Sequence, residues 1–407
     1  MVGFALIGLE VLHDILERSS GAIEDWFGCW FSKFPAVFNS SVDLRSSAYK
    51  VSPIDVNFYP AGYNNLSESS KARTITLLRE NLSKYKGGRV LVVIEGHTRN
   101  KKYTDSVIVL KDMLDSAGFS TDVGICSANG NDEVAASCGG SICVSKLVND
   151  GGRISTTTGF IPDVLVLNND FTSGVPDVLA GKVLQEVLPS QHLGWFRRRK
   201  STHFRTYSRM IEEFCREFHI DPWLISALFS HCDNVDFANS KGVESVAERV
   251  EDLISAIRDK YVLYGIRDAP YVFIKADNGT YGRGIISVCR GEDVLQINKR
   301  DRNKMRCVKE GVPIASVMLQ EGIPTHESFN DQVAEPIVYY VGKDLAGYLY
   351  RYNALRNRFG NLNVPGCGFI DIEYSIPEEK KRVWSTISRL AVLAASVEAY
   401  EMTSGAK

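Results

Sequence analysis

The fold is decided by the stretch Tyr271-Val-Phe-Ile-Lys275-Ala-Asp-Asn-Gly279-Thr-Tyr281-Gly282-Arg-Gly284 and the Ile285-Ile-Ser-Val288 that follows it. Two short apolar runs around a glycine-rich connection predict a strand, a hairpin and a return strand. Lys275, leading out of the first strand, can offer phosphate oxygens a point charge. Glycines at 279, 282 and 284 let the backbone close over a triphosphate and aim its N–H groups at the oxygens. Gly-Thr-Tyr-Gly-Arg-Gly lacks the G-x-x-x-x-G-K-[ST] order, which excludes a P-loop. Taken alone, the segment reads equally well as a hairpin that simply favours glycine. Downstream, 292–305 has the pattern of a helix, whose N-terminus is available to anions, and 315–320 that of a strand stopping at Glu321-Gly322.

Working towards the N-terminus, 191–261 reads as a helical connector. Residues 164–167 are a buried strand ending in Asn168-Asn169-Asp170, and 127–158, rich in Gly, Ser and Asn, read as a loop. The strand 90–94, the helix 103–117 and the strand 121–125 make a βαβ unit, hence a parallel sheet. Ligands gather beyond the C-terminal ends of such strands, where this chain carries Glu95-Gly-His-Thr-Arg-Asn100 and Asn168-Asn169. Ordinary solvent loops are the alternative there. A helix is predicted over 71–85, preceded by a loop through Pro53 and Pro60 to Asn65. Residues 1–50 read as helical, with Leu9, Leu12 and Leu16 at the spacing of a packed face. The expected architecture is α/β: helices, a parallel-sheet domain and a connector over 1–265, then an α+β half over 266–407.

The 407 residues exceed what one core usually supports. A hydrophobic fraction of 44% and a charged fraction of 24% are ordinary for a globular protein. The net charge of −2 argues against a nucleic-acid partner. The run Arg197-Arg198-Arg199-Lys200 reads as a solvated turn, better suited to phosphate or carboxylate than to DNA. Residues 1–9 are apolar but lack a basic flank, so neither a signal peptide nor a membrane span is expected, and the protein is placed in the cytoplasm. Nine scattered cysteines without a C-x-x-C set predict neither zinc nor disulfides. None is expected to act as a covalent nucleophile; Cys367, just after Gly366, is nearest the presumed site.

Strand, lysine, glycine-rich hairpin, helix and a strand ending in Gln-Glu-Gly is the order of the small lid subdomain of ATP-grasp enzymes, and the last third of the chain resembles it. Longer words resemble the proteobacterial glutamate–cysteine ligase family of the iron-oxidiser type, which has an ATP-grasp-like C-terminal half. They are Asn57-Phe-Tyr-Pro-Ala-Gly-Tyr-Asn-Asn-Leu66, His97-Thr-Arg-Asn100, Leu167-Asn-Asn-Asp170, Gly194-Trp-Phe-Arg-Arg-Arg-Lys200, Ile274-Lys-Ala-Asp-Asn-Gly-Thr-Tyr-Gly282, Gln320-Glu-Gly322, Ala334-Glu-Pro336 and Asn361-Leu-Asn363.

The resemblance implies ATP and Mg2+, with the γ-carboxylate of glutamate activated as an acyl phosphate and then joined to the amine of cysteine. Under it Lys275 and Arg351 clamp phosphates as the catalytic pair. Lys275, Gly279, Tyr281, Gly282 and Gly284, with Gln320, Glu321 and Ile323 on the inter-lobe strand, bind the nucleotide. Asn64, Asn65, Arg99, Asn168, Asn169 and Arg198 hold the amino acids, and Glu335, Asn361 and Asn363 supply oxygen to the metal. The two asparagines read equally well as shaping the turn before Pro365. The chain departs from many ATP-grasp enzymes in having no Glu-x-Asn after Asn363; the nearest acidic pair, Asp371-Ile-Glu373, reads as plain strand. The partners implied are small molecules, with no nucleic acid and no membrane. Two rivals stay open: another ATP-grasp carboxylate–amine ligase such as glutathione synthetase, and a non-catalytic nucleotide-binding protein.

Overall fold

The computed structural model describes residues 3–96, 100–126, 132–137, 139–278 and 284–404. Its parallel sheet forms where the apolar runs predict it. Arg89–Ile94 pairs in parallel with Ser120–Ile125 on one side and Val164–Asn168 on the other, with the helix Lys101–Ser116 as crossover. Successive residues of these strands enter two different cores: Leu91, Val93, Leu165 and Leu167 one, Val90, Val92, Val164 and Val166 the other. Burial on both faces is why the runs are continuous rather than alternating.

The expected loop over 127–158 contains sheet instead. Ser141–Asp150 extends the parallel sheet and forms a hairpin with Arg153–Thr156. Gly151 and Gly152 both have positive φ at its turn, a conformation glycine adopts without steric cost. The strand escapes a sequence reading because much of it is exposed and polar.

The N-terminal reading also needs correction. Helices Gly3–Arg18 and Ser20–Lys33 are present, and Leu12 and Leu16 are buried, but Asn39–Ser46 and Val51–Asn57 are strands rather than helix and loop. They join Gln332–Val341, Asp344–Asn353 and Gly368–Asp371 in an antiparallel sheet, so that sheet draws on both sides of residue 265. Pro53, which has no N–H to give the ladder, sits at a register shift opposite Leu44.

A four-stranded antiparallel sheet completes the frame, in the order Phe229–Asp233, Ser316–Glu321, Val272–Ala276, Ile285–Val288. Phe229–Asp233 interrupts the connector expected to be helical, between helices Lys200–Phe218 and Val243–Leu263. The single helix expected over 292–305 is two, Gly291–Leu295 and Lys299–Lys304, because the Asn298 side chain caps the second by accepting from Asp301 N–H. Gly322 leaves this sheet directly beneath the Tyr271 ring; a Cβ there would lie 2.2 Å from the ring. The long helix Glu378–Ser404 packs on Lys200–Phe218 and on the N-terminal strands.

Candidate active site

An open cleft lies between the antiparallel sheet and the four-stranded sheet. Seven of the residues singled out in the sequence line it: Lys275, Glu321, Ile323, Glu335, Arg351, Asn361 and Asn363. Strand pairing brings them together. Lys275 stands on Val272–Ala276 opposite Met318, Glu335 and Arg351 face each other across two strands, and the asparagines lie in the loop before Gly368–Asp371.

The charges in the cleft are mostly paired. Arg351 Nη1 donates to Asp43 Oδ2 at 2.8 Å and to Glu335 Oε1 at 2.6 Å. Arg45 Nε lies 2.8 Å from the other Glu335 oxygen, while its Nη2 donates to the Gly360 carbonyl beside Asn361. Lys200 Nζ lies 2.5 Å from Asp55 Oδ1. Lys275 differs: its Nζ donates to Gln320 Oε1 at 2.6 Å and to the Ile54 carbonyl at 3.1 Å, both uncharged acceptors. Burial without a directly bonded carboxylate pushes the Lys275 ammonium down to about 8, although Asp55 nearby pulls the other way. An anionic ligand would restore it.

Asp43 is raised by burial against the pull of Arg351, with Glu335 adding to the rise. Burial would raise Asp55 too, but Lys200 and Lys275 outweigh it and hold that carboxyl below its usual range. Glu321 is tied down by Lys50 at 2.9 Å in a fully buried pair and accepts from Leu228 N–H; its Oε1 has no partner among the described residues.

The remaining expected residues lie elsewhere or act differently. Gln320 is buried beneath Lys275. Gly284 has φ of 65°, and a Cβ there would press on Ile314 and Ala276. Gly279, Tyr281, Gly282 and Arg99 lie outside the described residues. Asn65, Asn168 and Asn169 donate their amides to the carbonyls of Gly62, Pro60 and Ile94. The Asn64 amide oxygen is buried with no partner among the described residues.

The basic run is not a solvated turn: Arg198 and Lys200 are buried. Arg198 grips Glu398 through Nε and Nη2 at 2.9 and 3.1 Å and donates to the Val56 carbonyl, so its fork is spent inside the fold. Asp371 and Glu373 also make internal contacts, with Ser67 N–H and with Arg73. The eight described cysteines form no disulfide; burial raises the Cys126 and Cys215 thiols to about 12. Among the described residues no helix is long and apolar enough to cross a membrane.

The described geometry is a charge-lined cleft between two sheets, holding a buried lysine with no directly bonded carboxylate. The family model described as Glutamate-cysteine ligase matches residues 13–399, and the chain belongs to that family. Its activity is gamma-glutamylcysteine ligation, a step of glutathione biosynthesis, and the enzymes of this family are ATP-dependent. The chain is similar to the crystal structure of a candidate gamma-glutamylcysteine synthetase from Methylobacillus flagellatus KT, with a TM-score of 0.88 and 35% identity over 98% of this chain and 97% of that one. D-alanyl-alanine synthetase A from Vibrio cholerae O1 biovar eltor scores 0.37 with 10% identity over 76% of this chain and 82% of that one, too little to carry an argument. No curated protein matches the chain.

Proposed function

We propose that the cleft is where ATP and glutamate meet, and that ligation proceeds through a γ-glutamyl phosphate. A carboxylate is a poor electrophile at neutral pH, so it must be activated before an amine can displace an oxygen from it. Phosphoryl transfer asks for positioning and charge neutralisation more than for a covalent protein group. Lys275 supplies that charge: it is the cleft lysine whose direct partners are neutral, and phosphate oxygens would take the place of the Gln320 and Ile54 contacts. Arg351 sits across the cleft, where its buried Nε has no partner among the described residues. Phe273, Ile285 and Ile323 offer the apolar wall a purine needs. The convergence of Lys275 and Arg351 in one cleft from two different sheets carries this reading. It is tested by ADP release from the purified protein, expected only with glutamate and cysteine together among a panel of amino-acid pairs.

The donors fit magnesium in kind. Glu335, Asn361 and Asn363 can each offer a side-chain oxygen, the ligand type that suits a hard cation. Two arginines contact Glu335, yet a carboxylate has about four lone-pair sites, so its oxygens are not exhausted. A bound magnesium ion would supply neutralisation of phosphate charge. Asn361 Oδ1 accepts from Asn363 N–H and holds the loop in shape, so the liganding and turn-shaping roles are compatible. Asn361→Ala and Asn363→Ala should each raise the magnesium concentration needed for half-maximal turnover. Wild-type magnesium titrations in both would remove them from the site.

Nucleotide affinity should depend on pH through Lys275. Its free ammonium titrates at about 8, and bound phosphate favours the charged form, so binding takes up a proton above that value. The Kd for ATP should be flat just below about 8 and rise above it. Lys275→Met should remove that bend, as followed by nucleotide titration at several pH values.

Asn64 stays in this reading as an amino-acid contact because of its unpartnered oxygen. Asn65, Asn168, Asn169 and Arg198 act through the backbone they hold.

A further inference from the structure

On adjacent strands Asp43 and Asp55 are direct cross-strand partners, and both line the cleft. Like charges directly opposite one another destabilise a sheet, so this pair needs a reason. Exposure separates the cleft carboxylates: the Glu335 side chain is 1% exposed and committed to two arginines, Asp43 is 16% exposed and Asp55 is 37% exposed. Asp55 is thus the most open of them, and Lys200 and the Val56 N–H both engage its Oδ1. Lys275, the proposed phosphate contact, donates to the carbonyl of Ile54, the residue immediately before Asp55. An acyl phosphate held by Lys275 and Arg351 would therefore have a carboxylate pair at its flank. The unpartnered Arg351 Nε, on a buried residue that lines this cleft, independently marks a place for a ligand oxygen.

We infer that Asp55, with Asp43 beside it, is the acceptor-amine subsite: the two carboxylates hold the ammonium of cysteine, and Asp55 takes its proton as the amine attacks. The inference rests on the acyl-phosphate reading above. The balance is simple. One N–H proton of the ammonium passes to an Asp55 oxygen, and the nitrogen lone pair so freed forms the C–N bond. The bond between the γ-carbon and the phosphate oxygen breaks, inorganic phosphate leaves with that electron pair, and the second amine proton passes to the departing phosphate as the amide forms, while Asp55 later gives its proton to solvent. Asp43, hydrogen-bonded to Arg351, contributes charge rather than proton transfer. In the free protein Lys200 and Lys275 hold Asp55 too acidic to be a good base. Phosphate engaging Lys275 weakens that pull, so basicity appears when the substrates are in place.

Hydroxylamine separates this role from a structural one, because its nitrogen is largely uncharged at neutral pH and needs neither an ammonium site nor a base to attack an acyl phosphate. With ATP, magnesium and glutamate, Asp55→Asn should lose cysteine ligation by about a hundredfold or more, with a raised KM for cysteine, while γ-glutamyl hydroxamate formation stays near wild type. Asp55→Glu should recover part of the loss, and Asp43→Asn should mainly raise the KM for cysteine. Equal losses with both acceptors in Asp55→Asn, or no loss with either, would overturn the inference. If Asp55→Asn does not fold, Asp43→Asn carries the same comparison, and its unchanged cysteine KM would overturn the shared subsite. Absence of hydroxamate from the wild-type enzyme, with cysteine ligation intact, would instead strike the acyl-phosphate reading itself.

Discussion

Glu398→Ala should cost about 3–5 kcal/mol of folding stability, the penalty for stranding a buried charge without its partner. Arg198 and Glu398 are each 1% exposed, and their side chains join through two hydrogen bonds. His203 Nδ1 lies 3.1 Å from the second Glu398 oxygen, and the guanidinium stacks over Phe58. Chemical denaturation should show the loss as a lower midpoint, and Arg198→Met combined with Glu398→Leu should recover much of it, since an apolar pair carries no stranded charge. A stability within about 0.5 kcal/mol of wild type in Glu398→Ala would show the pair to be dispensable. The same pair predicts acid sensitivity. Burial alone would raise Glu398, but Arg198 and His203 outweigh it and hold the carboxyl at about 2, below the 4.5 of a free glutamate. A depressed carboxyl stabilises fully above its unfolded value, so this contribution should fade as pH falls from about 4.5 towards about 2.

Lys275→Ala should leave the fold intact and weaken ATP binding or turnover about tenfold to a hundredfold, as expected for one charge-assisted phosphate contact of roughly 1.5–3 kcal/mol. The fold should tolerate the change because burial already disfavours this ammonium. No carboxylate is stranded by its loss, since its hydrogen-bond partners are an amide and a backbone carbonyl. Nucleotide titration and steady-state rates would read the effect, and wild-type values in both would remove Lys275 from the phosphate site.

What the sequence could reveal follows from where each signal is stored. The parallel strands are legible because Val164 to Leu167 are buried on both faces and the signal is local. The strand Val272–Ala276 that carries Lys275 is legible because it too is buried along its whole length, and the glycines after it mark the turn to the half-buried Ile285–Val288. Asn39–Ser46 is not: its residues are mostly polar, and Asn39, Ser40, Arg45 and Ser46 are buried only because distant strands cover them. The same distance hides Asp43, Arg45, Asp55 and Lys200 from a local reading of the cleft. Arg351 and Asp43, which share a hydrogen bond, stand 308 positions apart. Arg198 shows the converse: its charge suggests a ligand, while the partner it has in the fold is a glutamate 200 positions away.

The pairing of Asn39–Ser46 with Gln332–Val341 has a consequence for biosynthesis. Asp43 leaves the ribosome 308 residues ahead of its cation on strand Asp344–Asn353. At about 5–20 residues per second, that gap lasts roughly 15–60 s. Throughout it, the edge of Asn39–Ser46 that will face Gln332–Val341 has no partner, and the strand's buried positions have no cover. The parallel sheet has all its strands before residue 190, yet one of its two cores includes Ile337, Tyr339 and Val341, so neither it nor the cleft is complete until the late strands emerge. Nascent chains stalled before residue 332 should therefore be more protease-sensitive in the parallel sheet than the full-length protein.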